Sequence, residues 1–156
     1  MWSDFAEAKI EEFHRLGPSS AQLLRLREWD RARAEVAGLA RLPAPVRVPC
    51  HHDYTPRNWL MHNDALYVID FEWAGVDAWV ADLACLHLGI WPSRPDLQEA
   101  FLNGYERTLS VTDRNTLRGC AVLTAVWLLV KAHETCQPSF EDASRTALRH
   151  LIRSAA

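Results

Sequence analysis

Helical spacing on both sides encloses a segment, residues 46–71, where the apolar positions change to short β-branched runs, and this switch constrains the fold more than any other feature. Before it, residues 4–16 and 19–40 space Leu23, Leu24, Leu26, Val36 and Leu39 as helices do, with a break expected at Gly17-Pro18. Pro43 and Pro45 end the second helix, since proline lacks an amide donor and disfavours helix in the residue before it. Inside the segment, residues 46–49, 59–61 and 65–71 read as strands, and His62-Asn63-Asp64 has the turn chemistry of a hairpin. After a loop at 72–77, helical spacing returns over 79–89, 96–109, 112–135 and 139–154, with Thr112 and Ser139 as expected N-caps. The expectation is a mainly α fold with a small β hairpin, built as a single domain over residues 1–156.

With 156 residues, 49% hydrophobic and 24% charged, the chain has enough apolar surface for a core without staples. A net charge of -3 offers no basic field to gather phosphates, so no nucleic-acid partner is expected. Lys9 and Lys131 are the only lysines. Cys50, Cys85, Cys120 and Cys136 form no CxxC pair and are expected as reduced thiols. The N-terminus carries acids where an export signal carries a basic start, and the longest apolar stretch, residues 120–130, falls short of the ~20 residues that span a bilayer. That stretch is expected to be a buried core helix, with a cytoplasmic location and no membrane partner.

Chemistry concentrates in the polar loop between the first strand and the hairpin, His51-His52-Asp53-Tyr54-Thr55-Pro56-Arg57-Asn58. Asp53, Asn58 and Asp70 are oxygen-bearing side chains at strand ends, and a hairpin brings Asn58 and Asp70 together at its open end. Hard oxygen donors of this kind suit magnesium. Trp59, Trp73 and Trp79 read first as core aromatics. Asp77, Asp96, Glu99, Glu134, Glu141 and Asp142 read as members of solvated faces.

The order His51-x-Asp53-x-x-x-x-Asn58, followed after a hairpin by Ile69-Asp70-Phe71-Glu72, resembles the aminoglycoside phosphotransferase family and its choline-kinase and protein-kinase-like relatives. Asp82-Leu83-Ala84 is similar to a further element of that family, whose aspartate braces the catalytic loop. The resemblance implies the C-terminal helical lobe of a protein-kinase-like fold. It implies Asp53 as the catalytic base, Asn58 and Asp70 as ligands of Mg2+, His51 and Asp82 as loop supports, and ATP or GTP as co-substrate. A small-molecule hydroxyl, on an aminoglycoside, a choline-like alcohol or a sugar alcohol, is the implied acceptor. His52 stands where the family usually has glycine; it and Arg57, Glu72 and Trp73 are candidate contacts to phosphate or substrate.

Phosphoryl transfer of this kind also uses a glycine-rich loop over the phosphates and a strand lysine, both on an N-terminal β lobe. The six glycines here are dispersed without GxGxxG, Lys9 lies in an acidic helix, and Lys131 closes the apolar helix. The β lobe is therefore expected to be absent from these residues and the isolated chain to be a poor kinase. An N-terminal lobe supplied in trans is a candidate partner, and an apolar surface near the hairpin is expected to be exposed and to favour self-association or a partner chain. The alternative is a non-catalytic kinase-like binding module, truncated or a pseudokinase. A more remote one is a non-haem iron oxygenase using His51, Asp53 and His87 or His133.

Overall fold

The computed structural model describes residues 2–20 and 22–153. Among the described residues six helices carry the fold: α1 (Trp2–Ser20), α2 (Leu26–Gly38), α3 (Ala84–Gly89), α4 (Pro95–Gly104), α5 (Val111–Glu134) and α6 (Pro138–Arg153). Four short strands, β1 (Arg47–Cys50), β2 (Trp59–His62), β3 (Ala65–Val68) and β4 (Gly75–Ala78), sit between α2 and α3. The protein is mainly helical with two small antiparallel sheets, β1 with β4 and β2 with β3.

The centre is α5, whose Leu117, Ala121, Val122, Ala125, Val126 and Leu129 are all buried. Apolar residues around most of its circumference let it pack against α1, α2, α3 and α6 at once. Its start is two residues earlier than Thr112 suggests. Ser110 caps it, accepting the Asp113 amide at 3.0 Å while the Asp113 carboxylate accepts the Ser110 amide at 3.0 Å. This reciprocal box satisfies two orphan donors, which Thr112, already inside the first turn, cannot do. In the same way Ser139 lies within the first turn of α6, which opens at Pro138.

The expected break at Gly17-Pro18 does not occur, and α1 runs on to Ser20. Pro18 falls in the last turn, where the intrahelical bond it forfeits is one of few remaining. Gly17 also presents its bare face to the Trp29 ring, and Phe13 stacks on Trp29 at 4.3 Å, so packing between α1 and α2 carries the helix through. Leu26, one of the apolar positions at helical spacing, opens α2 and is 75% exposed.

The hairpin turns at Asn63 and Asp64, with φ of 48° and 60°, the left-handed pair of a type I′ turn. β3 stops at Val68, short of the expected Phe71, because Asp70 with φ 68° leaves extended conformation. β4 overlaps the expected loop at 72–77; it is a strand only because it pairs with β1, Cys50 facing Gly75 and Arg47 facing Ala78. No helix among the described residues is long and apolar enough to cross a membrane.

Candidate active site

β1 delivers the chain to His51 and His52, whose amides converge on one carboxylate. His51 donates to Asp82 Oδ2 at 2.8 Å and His52 to Asp82 Oδ1 at 2.7 Å. Asp82 sits in a 3₁₀ turn, Ala81–Leu83, that leads into α3. The start of the loop is thereby anchored to the helical body through two charge-assisted bonds.

The His51 ring is buried at 4% exposure against Phe71, whose ring centroid lies 4.6 Å away. Its Nδ1 accepts the Asp53 amide at 3.2 Å, so the proton is on Nε2, which donates to the Ile69 carbonyl at 2.8 Å. One neutral imidazole thus joins the loop to the residue before Asp70. A second tie comes from Asn58, whose Nδ2 donates to the Asp53 carbonyl at 2.9 Å and to Asp53 Oδ2 at 2.8 Å. The Ile69 amide donates to the Asn58 carbonyl at 3.0 Å. Asp53, Asn58 and Ile69 form one hydrogen-bonded group with Asp70 next in the chain.

Asp70 is exposed and, among the described residues, makes no side-chain hydrogen bond or ion pair. Asn58 spends its amide N–H groups on Asp53, leaving Oδ1 as its outward acceptor. A free carboxylate and a free amide oxygen fit magnesium, which takes one or two protein oxygens and completes its shell with water and phosphate.

Beneath the loop is a charged group that the sequence did not reveal. Asp77, expected on a solvated face, is 3% exposed. Its Oδ2 receives Lys9 Nζ at 2.7 Å and faces His52 Nε2 at 3.1 Å, and its Oδ1 receives the Ala78 amide at 2.7 Å. Burial by itself would raise the Asp77 carboxyl, but the His52 and Lys9 partners hold it below the usual range. Burial works to lower Lys9, and the carboxylates of Asp77 and Glu12 outweigh it, so the ammonium is held above its ordinary value. The thiols of Cys50 and Cys120 are pushed up to about 12 by burial and Cys85 to about 11, so none is a thiolate nucleophile at neutral pH.

The remaining candidates divide. Arg57, in the turn Pro56–Asn58, and Glu72 are exposed and make no described ion pair. Trp73 is 60% exposed, whereas Trp79 is buried and donates its Nε1 to Asp113 at 3.0 Å. Trp59 packs on Tyr54 at 5.0 Å. His52 turns both ring nitrogens inward, to the Trp73 carbonyl at 2.9 Å and to Asp77. The iron triad is not assembled: His51 has both nitrogens engaged, and no three His, Cys, Asp or Glu side chains among the described residues group to hold a metal.

Residues 2–120 match the model of the phosphotransferase enzyme family, APH. The chain belongs to this family. The match takes in the loop at 51–58, Asp70 and Asp82, and runs into the core helix α5. Comparison with curated proteins and with solved structures gave no match.

Proposed function

We propose that this APH-family chain carries the catalytic loop for transfer of the γ-phosphoryl group of ATP or GTP to a hydroxyl of a small molecule. The observation that carries this reading is the bond from Asn58 Nδ2 to Asp53 Oδ2, which fixes one carboxylate oxygen of Asp53 and leaves the other for an incoming hydroxyl. In the reaction, the acceptor oxygen forms a bond to the γ-phosphorus as the bond to the bridging oxygen breaks, and the nucleoside diphosphate leaves. Asp53 orients the hydroxyl and takes its proton. Asn58 Oδ1 and the Asp70 carboxylate would hold Mg2+, which when bound neutralises charge on the phosphates.

Kinase-like architecture for the helical body is part of the same proposal. The cover for the phosphates comes from outside these residues, because no glycine-rich loop or strand lysine lies within them. The surface supports that view: Leu60, Met61, Tyr67, Phe71 and Trp73 around the hairpin are each at least half exposed. So much apolar area in one region suits a docked β lobe, supplied in trans or by a further segment.

The test is to assay the chain alone and with a β lobe of an APH-family enzyme fused or added, using ATP, magnesium and a panel of aminoglycosides, choline-like alcohols and sugar alcohols. A phosphorylated product seen by mass spectrometry only with the lobe supports the reading. Absence of any product with the lobe bound would favour a non-catalytic binding module.

A further inference from the structure

Two adjacent histidines hold opposite ends of the loop that carries Asp70. His51 Nε2 donates to the Ile69 carbonyl at 2.8 Å, one residue before Asp70, and His52 Nδ1 lies 2.9 Å from the Trp73 carbonyl, three residues after it. The two rings differ in what their other nitrogens meet. His51 Nδ1 receives an amide proton from Asp53, which requires a neutral ring. His52 Nε2 meets Asp77 Oδ2 at 3.1 Å, a carboxylate oxygen. A carbonyl and an ionised carboxylate only accept, so His52 satisfies both partners only with a proton on each nitrogen.

We infer that His52 is a positioning residue for the Asp70 loop that acts as an imidazolium, fastening residue 73 to the catalytic loop while His51 fastens residue 69. Loss of its proton releases the second fastening. A neutral ring keeps one N–H, and the charged Asp77 holds it in preference to the Trp73 carbonyl, since charge-assisted bonds are the stronger. The Nδ1 end therefore lets go.

The backbone supports a purpose for this side chain. His52 has φ 65°, where a Cβ is costly and glycine is free, so the two ring bonds offset a local strain. The ring seats against Gly75 of β4, where an added Cβ would lie 3.1 Å from His52 Cε1. Groups around it come from several elements: Asp77 on β4, Lys9 and Glu12 on α1, and Asp82 beside α3. The thiols of Cys50 on β1 and Cys120 on α5 stay protonated. Lys9 opposes a second positive charge, but the hydrogen bond to Asp77 prevails over burial and holds the His52 ring above its ordinary value.

The consequence for catalysis rests on the reading of Asp70 as a metal ligand, whereas the clamp is testable without metal or nucleotide. The experiment is NMR of the full chain with 15N-labelled histidine rings, His52 assigned through His52→Asn, followed by hydrogen exchange of residues 71–76. At neutral pH both His52 nitrogens carry the protonated signature and His51 shows one protonated and one bare nitrogen. Above the His52 midpoint Nδ1 becomes bare. In His52→Gly, which relieves the backbone, exchange across 71–76 speeds several-fold while the helices are unchanged. A neutral His52 ring at neutral pH, or unaltered exchange in His52→Gly, would overturn the inference. An imidazolium at His52 with no phosphoryl transfer under any condition would leave the clamp standing and remove the proposed activity.

Discussion

Asp82 bonds with its two carboxylate oxygens to two consecutive amides, those of His51 at 2.8 Å and His52 at 2.7 Å, so one side chain fixes the entry of the loop at 51–58. Removing it leaves two N–H groups without their acceptor in a partly buried turn. Asp82→Ala is expected to lower stability by roughly 1–3 kcal/mol. Urea titration followed by far-UV circular dichroism checks this, and an unchanged midpoint would contradict the bracing role.

Asn58 and Asp70 differ in what they offer a hard cation. A carboxylate contributes a full charge and an amide a dipole. Asp70→Ala is expected to abolish magnesium-dependent nucleotide binding in the lobe-completed enzyme, and Asn58→Ala to weaken it less. Isothermal titration of both variants reads the order, and equal losses would count against these ligand roles.

Gly119 lies where α5 meets Leu39, and a Cβ there would sit 2.6 Å from Leu39 Cδ2. Alanine gains about 1 kcal/mol in helix propensity but overpacks a site where Leu39 is 1% exposed, at about 1–3 kcal/mol. The expected net result is destabilisation. Thermal melts of Gly119→Ala alone and combined with Leu39→Ala settle the cause, because the smaller residue at position 39 should abolish the penalty of the glycine change.

Stability is expected to fall as pH rises from about 6.5. The His52 ring is raised in the fold by its Asp77 bond, so its contribution is complete below the unfolded value of 6.5 and is lost as pH climbs through the higher folded value. His87 is lowered, by burial and then by Arg118 and His150, so its own pH dependence ends by 6.5 and does not mask this limb. At the acid end Asp77 is lowered, and its contribution is lost as pH drops below 3.8 through its folded value. Melting temperature against pH should show the alkaline limb in the parent and a flatter one in His52→Asn. An identical slope would exclude His52 as its source.

The parts of the candidate site legible in the sequence are those set by local spacing. His51, Asp53, Asn58, Asp70 and Asp82 could be picked out because the loop, the hairpin and the following turn keep them in order along a short run of chain. Lys9 and Asp77 could not, since their pairing joins residues of α1 and β4 far apart in sequence and no local pattern marks it. β4 has a glycine and an aspartate among four residues and becomes a strand only beside β1. Pro18 and Thr112 misled for related reasons, as tertiary packing carried α1 past one and the Ser110–Asp113 box outcompeted the other. For His52, its place where the family usually has glycine suggested phosphate contact; the fold instead engages its ring nitrogens with the Trp73 carbonyl and Asp77, which no local pattern marks.

The central claim is that Asp53 acts as the base of a phosphoryl-transfer loop held by Asn58 and His51. The most direct measurement compares the turnover of parent and Asp53→Asn enzymes, each completed with the same β lobe, at saturating ATP, magnesium and acceptor. The account predicts a loss of about two to four orders of magnitude in kcat with nucleotide affinity nearly unchanged, the usual size of a general-base contribution. Turnover by Asp53→Asn close to that of the parent would contradict it.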